Sequence, residues 1–155
     1  MTSKKNDIYG YVFHLWAFED YLRAFPQHAD AKPELHELNE MMHREGVFEG
    51  GHVQLAKNAL AEMEDLHEEL MQTNAIYRAA ILRLQPSLTL FKAKTDRPTM
   101  SDIEACLTLV YQTFLLRMQQ HEITPQTEDV ELQAKKILEL ISIIYHDKDD
   151  NQTAV

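Results

Sequence analysis

SDIEACLTLVYQTFLLRM, residues 101–118, decides the fold. Ser101 followed by Glu104 is an S-x-x-E capping box, the signature of a helix start just before an apolar run. Behind it Ile103, Leu107, Val110, Phe114 and Met118 recur at three- and four-residue steps, which puts them on one face of a helix. Leu109, Leu115 and Leu116 fall on other sides, and a helix that is apolar on more than one side belongs in the interior. The stretch predicts a central helix. Cys106, the single cysteine, sits inside it among Ala105, Leu107 and Leu109 and reads as a small buried apolar residue.

The same rhythm extends in both directions. Downstream, Thr124 as N-cap and Pro125 at the first helical position open a helix whose Val130, Ala134, Ile137, Leu140, Ile141 and Ile144 face inward. Upstream, Asn74 to Lys94 keeps Tyr77, Ile81, Leu84, Leu88 and Phe91 in register, with a kink expected at Pro86. His52 to Met71 carries Val53, Ala56, Leu60, Met63, His67 and Leu70 on one stripe after the Gly50-Gly51 break. Pro33 starts a shorter helix with Leu35, Leu38 and Met42 inward, ending at Gly46. Ile8 to Phe25 is the first helix, closed by Pro26. The reading is all-α, a single-domain bundle of about six helices, with residues 1–7 as a disordered N-terminus, 8–146 as the bundle and 147–155 as a disordered acidic tail.

Composition narrows the function. Among 155 residues, 15 Lys and Arg stand against 25 Asp and Glu, a formal net charge of −10. Basic residues that never gather into a run do not hold a phosphate backbone against that field, so nucleic acid is not expected as a partner. No uncharged run reaches the roughly 18 residues of a spanning helix, so no membrane segment is expected either. Lys4-Lys5 before the uncharged Ile8–Phe18 only superficially resembles a signal peptide, since Glu19-Asp20 follows directly and no A-x-A site appears. One unpaired cysteine suits a reducing cytoplasm.

Nucleotide and hydrolase motifs are absent: the sequence has no G-K-S or G-K-T and no G-x-S-x-G. No catalytic residue and no cofactor is therefore predicted. E-x-x-H occurs as Glu40/His43, Glu49/His52 and Glu64/His67. In a di-iron bundle both residues project into the core. Glu40 and His43 face away from the apolar side, and Glu49 precedes the glycine pair, where no helix is expected. Glu64 and His67 alone point partly inward, and they are the weak candidates for a metal; a hydrogen-bonded core histidine is the simpler reading of His67.

Glu19 is more informative, because it lies on the apolar arc of the first helix with Val12 and Leu15. A carboxylate there needs a partner. Arg23, four residues on, is one; Arg117, inside the long apolar span of residues 103–118, is another, in a bidentate pair able to set helix register. Glu19, Arg23, Glu64, His67 and Arg117 together form the candidate buried polar cluster. On the opposite side of the same helix stand Tyr9, Phe13 and Trp16. A helix aromatic on two sides is either sandwiched between layers or pressed against a partner, which makes these three the candidate interface.

Several segments together resemble a family of small bacterial proteins, of the type found in Bacteroides and relatives, known as domain of unknown function 4924. They are Leu15-Trp16-Ala17-Phe18-Glu19-Asp20-Tyr21-Leu22-Arg23-Ala24, Glu45-Gly46-Val47 with Glu49 and Gly51-His52, Asp65-Leu66-His67, and Leu115-Leu116-Arg117-Met118-Gln119 with Glu122-Ile123. The likeness runs from about Ile8 to Tyr145, with a compressed connection over Pro26 to Lys32. It implies an uncharacterised bacterial protein and transfers no activity or ligand set. The sequence thus points to a protein-interaction or self-associating module, with a homodimer or a protein partner expected. The alternative is a metal- or small-ligand-binding bundle, enzymatic or not, built on the Glu/His/Arg cluster.

Overall fold

The computed structural model describes residues 2–153, with side chains described through residue 149. Six α-helices account for it, and no strand occurs among the described residues: α1 (Ile8–Ala24), α2 (Pro33–Arg44), α3 (Gln54–Thr73), α4 (Ala75–Ala93), α5 (Asp102–Met118) and α6 (Pro125–Thr153). A short 3₁₀ turn at Pro26–His28 follows α1.

The helix ends follow local chemistry. Asp7 accepts the Gly10 N–H at 2.9 Å, Asn74 that of Tyr77 at 2.9 Å and Thr124 that of Thr127 at 3.2 Å. Each satisfies one donor that the first turn leaves without an intrahelical partner. Ser101 accepts the Glu104 N–H at 3.1 Å, but the reciprocal arm of the expected box is not made, because the Glu104 carboxylate pairs with Arg97 instead. At the C-termini, α2 and α5 both close in Schellman turns. Val47 N–H reaches the Met42 carbonyl at 3.0 Å and His121 N–H the Leu116 carbonyl at 2.9 Å. The left-handed residue is Gly46 in the first (φ 71°) and Gln120 in the second (φ 63°).

Two expectations need correction. Helix α6 does not fray from His146 but continues to Thr153. No Gly or Pro interrupts residues 146–153, and Lys148 reaches back to Glu69 of α3. Residues 154 and 155 lie outside the described residues. The N-terminal segment is likewise tied down, since Asp7 N–H bonds the Ser3 carbonyl at 3.1 Å, Thr2 meets His14, and Lys4 pairs with Glu62 at 3.1 Å. Met1 is outside the described residues. Helix α4 is continuous through Pro86, which sits on its exposed side.

Helix α5 is central and packs against α1, α3, α4 and α6. Its Ile103, Cys106, Leu107 and Val110 are almost wholly buried. Helix α1 also has neighbours on several sides, α2, α3, α5 and α6, which explains its two apolar faces. No helix among the described residues is long and apolar enough to cross a membrane.

A buried carboxylate and an aromatic groove

Glu19 is fully buried on α1. Its Oε1 lies 2.8 Å from His52 Nδ1, and its Oε2 accepts the Val53 N–H at 2.7 Å. The carboxylate therefore anchors the chain where α3 begins, at the helix end where a negative charge is favoured. Gly51, at φ +95°, makes the turn that delivers His52 and Val53 to it. The His52 ring stacks on Trp16 at 4.6 Å and 14°.

Arg23 lies one turn further along α1 and does not pair with Glu19. Its Nε donates to the Phe48 carbonyl at 2.9 Å, and its Nη2 to the carbonyls of Val47 at 2.8 Å and Gly51 at 2.5 Å. Its Nη1 meets Asp20 at 3.0 Å. One planar guanidinium thus pins the whole 47–51 loop, a task suited to its fixed fork of donors. Asp20 also accepts the Tyr111 hydroxyl at 2.6 Å. Burial, followed by this bond to a carboxylate, pushes the Tyr111 phenol well above its ordinary range.

The other cluster residues lie apart from this group. Arg117 makes a two-pronged pair with Glu131 of α6, at 2.5 and 2.6 Å, and the Glu131 carboxylate is nearly buried. The expected Glu19–Arg117 contact is absent, because each has a different partner, and the Arg117 side chain is 41% exposed rather than buried. Glu131 lies on the buried stripe of α6, three residues before Ala134 and seven before Leu138. His67 bonds the Tyr77 hydroxyl at 2.6 Å, and burial lowers its pKa from the ordinary histidine value. Glu64 is half-buried beside it in sequence. No group of three or more His, Cys, Asp or Glu among the described residues is placed to hold a metal ion.

The three aromatic residues of the second α1 face turn toward the chain's own interior. Trp16 is 6% exposed. Phe13 packs edge-on against Tyr111 at 5.4 Å and Phe114 at 5.1 Å, and Tyr9 lies against Phe13 at 6.1 Å. Burial pushes the Tyr9 phenol up to about 12. Of the two explanations for an aromatic second face, sandwiching between layers accounts for Trp16 and Phe13, with α5 as the covering layer.

Beside this packing lie two cavities. A groove of about 740 Å³ opens between the end of α1, the start of α2 and the end of α5. Its walls include Phe18, Tyr21, Phe25, Leu35, Phe114 and Met118, with Asp20, Tyr111, Lys32 and Glu34 as polar members. A smaller pocket of about 280 Å³ lies on the other side of Tyr111 and Leu115, lined by Trp16, His52, Met100, Thr108 and Gln112. In the sequence His52 stands out only as part of the Glu49/His52 motif, and neither Asp20 nor Tyr111 is marked for a role. The signal that could have placed His52 at the site was its position directly after the glycine pair; Asp20 and Tyr111 carried none.

The architecture is that of an all-α bundle whose buried Glu19–His52 pair and Arg23 clamp organise one end. The chain belongs to the family described as a domain of unknown function (DUF4924), whose model matches residues 26–152. Glu19 and Arg23 precede the matched region, whereas His52, Arg117 and Glu131 lie within it. No curated protein and no solved structure matches the chain.

Proposed function

We propose that this chain is a binding module and that the groove between α1, α2 and α5 is its site, taking one apolar molecule of drug-like size. One observation carries the reading: a concavity of about 740 Å³ walled by Phe18, Tyr21, Phe25 and Phe114. Cavities of about 300 to 1,000 Å³ with apolar, aromatic walls and a few polar groups are the usual form of a small-molecule site. Asp20 and Tyr111 are the inner polar groups, held in place by their mutual bond, and the exposed Lys32 and Glu34 stand at the α2 end. We take the module to work in the cytoplasm, on the strength of the buried free thiol of Cys106.

The test is titration with the uncharged fluorescent probe N-phenyl-1-naphthylamine. Saturable binding of one probe per chain is expected, lost in Ala24→Trp and weakened in Met118→Glu, both at exposed positions lining the groove. Absence of saturable binding, or binding indifferent to both substitutions in folded protein, contradicts the reading.

Self-association is the second reading, favoured by the exposed rim of Tyr21, Phe25, Leu116 and Met118. A symmetric contact over this rim would make the chain a homodimer. Sedimentation velocity across a wide concentration range then shows a dimer in the wild type and a monomer in Met118→Glu.

A further inference from the structure

We infer that the smaller pocket is a separate site for a neutral, single-ring compound bearing a hydroxyl group, a phenol or aromatic alcohol, with His52 Nε2 as the acceptor of its O–H. The inference starts from the ring's orientation. Nδ1 faces the Glu19 carboxylate, which has no exposed surface and already accepts the Val53 N–H. A carboxylate has no hydrogen to give, so in this contact the ring donates from Nδ1. In the neutral ring that contact makes Nδ1–H the tautomer and leaves the lone pair at Nε2. Nε2 lies on the opposite edge of the ring, away from the buried carboxylate. The side chain is 39% exposed and lines the pocket, and no hydrogen bond to Nε2 exists among the described residues.

The rest of the lining selects the ligand. Met100, Leu115, Trp16 and Tyr111 form an apolar wall beside the polar Thr95, Thr108 and Gln112, and about 280 Å³ accommodates one ring rather than an extended molecule. Arg97 and Glu104 in the lining satisfy each other, and Asp96, the third charged residue there, is exposed to solvent, so none of the three calls for an ionic partner. A net charge of −10 further disfavours anions. Since Nε2 only accepts, the ligand must donate, and a phenolic O–H is a stronger donor than an aliphatic one. The stack of His52 on Trp16 keeps the acceptor from swinging away, so its direction is set before the ligand arrives.

The probes are p-cresol and toluene, which differ by the hydroxyl alone, titrated into the folded chain and followed by the nitrogen resonances of the His52 imidazole. The expected result has three parts. The free protein shows His52 as the Nδ1–H tautomer, p-cresol shifts its Nε2 signal saturably, and toluene binds about tenfold more weakly, as fits the loss of one hydrogen bond. Thr108→Trp, which fills the pocket without touching Glu19 or His52, should abolish the p-cresol shift, whereas Ala24→Trp in the large groove should leave it intact. That second variant separates this site from the groove: either can fail alone. Equal binding of the two probes, an Nε2–H tautomer in the free protein, or p-cresol binding that leaves the His52 signals unmoved overturns the inference. The wild-type comparison decides even if Thr108→Trp fails to fold.

Discussion

The carboxylate of Glu19 and the imidazole of His52, separated by 33 residues in the chain, meet at 2.8 Å with the carboxylate fully buried. This contact fastens the loop before α3 onto the middle of α1. Removing the carboxylate strands both the Val53 N–H and His52 Nδ1 and leaves a cavity. Glu19→Ala should therefore lower stability by about 3 kcal/mol in urea unfolding, and Glu19→Gln, which keeps an acceptor, by visibly less. A loss below about 1 kcal/mol for Glu19→Ala would show that the pair is not an anchor.

Gly51 is the hinge of the same contact. At φ +95° any L side chain is strained, although a Cβ would meet only ordinary contacts with Val47. Gly51→Ala should cost about 1 to 2 kcal/mol. Gly50, which has open space around it and no positive φ, serves as the control, with Gly50→Ala near neutral.

Helix α5 ends in the same turn as α2 but with Gln120 in the left-handed position that Gly46 occupies in the other. Replacing it by glycine removes the Cβ penalty there. Gln120→Gly should raise stability by about 1 kcal/mol, seen as a higher melting temperature in calorimetry, while Gly46→Gln does the reverse.

His67 gives a pH dependence whose sign follows from its lowered pKa, caused first by burial. The folded state binds its proton less readily than the unfolded chain does. The stability tied to neutral His67 is therefore complete above about pH 6.5 and declines as pH falls from there toward the folded-state pKa. The facing charges of Asp102, Glu68 and Glu64 moderate the effect and Lys92 adds to it. In urea titrations at pH 7.5 and 5.5, His67→Phe should lose less stability on acidification than the wild type. An equal loss in both proteins would assign the acid sensitivity to other groups.

Cys106 is buried, and burial pushes its thiol up to about 12. Native protein at pH 8 should resist iodoacetamide and become labelled only on unfolding, because the thiolate is the reactive form. Labelling at the rate of a free thiol in the folded chain would place Cys106 elsewhere than in the core.

Much of the fold was legible. The inward stripes of residues 52–71, 74–94 and 101–118, and the caps at Ser101 and Thr124, are local signals, since periodicity and capping depend only on neighbours within one or two turns. The length of α6 was not, because the contact that ties it down, Lys148 to Glu69, joins residues far apart in sequence. Glu19 stood out by its place on an apolar arc, and its burial follows from that position alone. Its partner did not: the nearest candidate by helix spacing, Arg23, is drawn away by three loop carbonyls at once.

What the sequence by itself determined is that the fold class is all-α, which faces of each helix turn inward, and that α1 carries a charge requiring a partner. Tertiary structure alone decided that the partner is His52, that Arg117 pairs with Glu131 rather than Glu19, and that Trp16 and Phe13 pack inside their own chain. The reason is physical. A helical face is set by a rotation of 100° per residue and is visible locally, whereas a long-range ion pair depends on how helices of similar apolar surface dock. Several dockings bury the stripes about equally well, and the polar pairs distinguish among them only when every buried charge is matched at once.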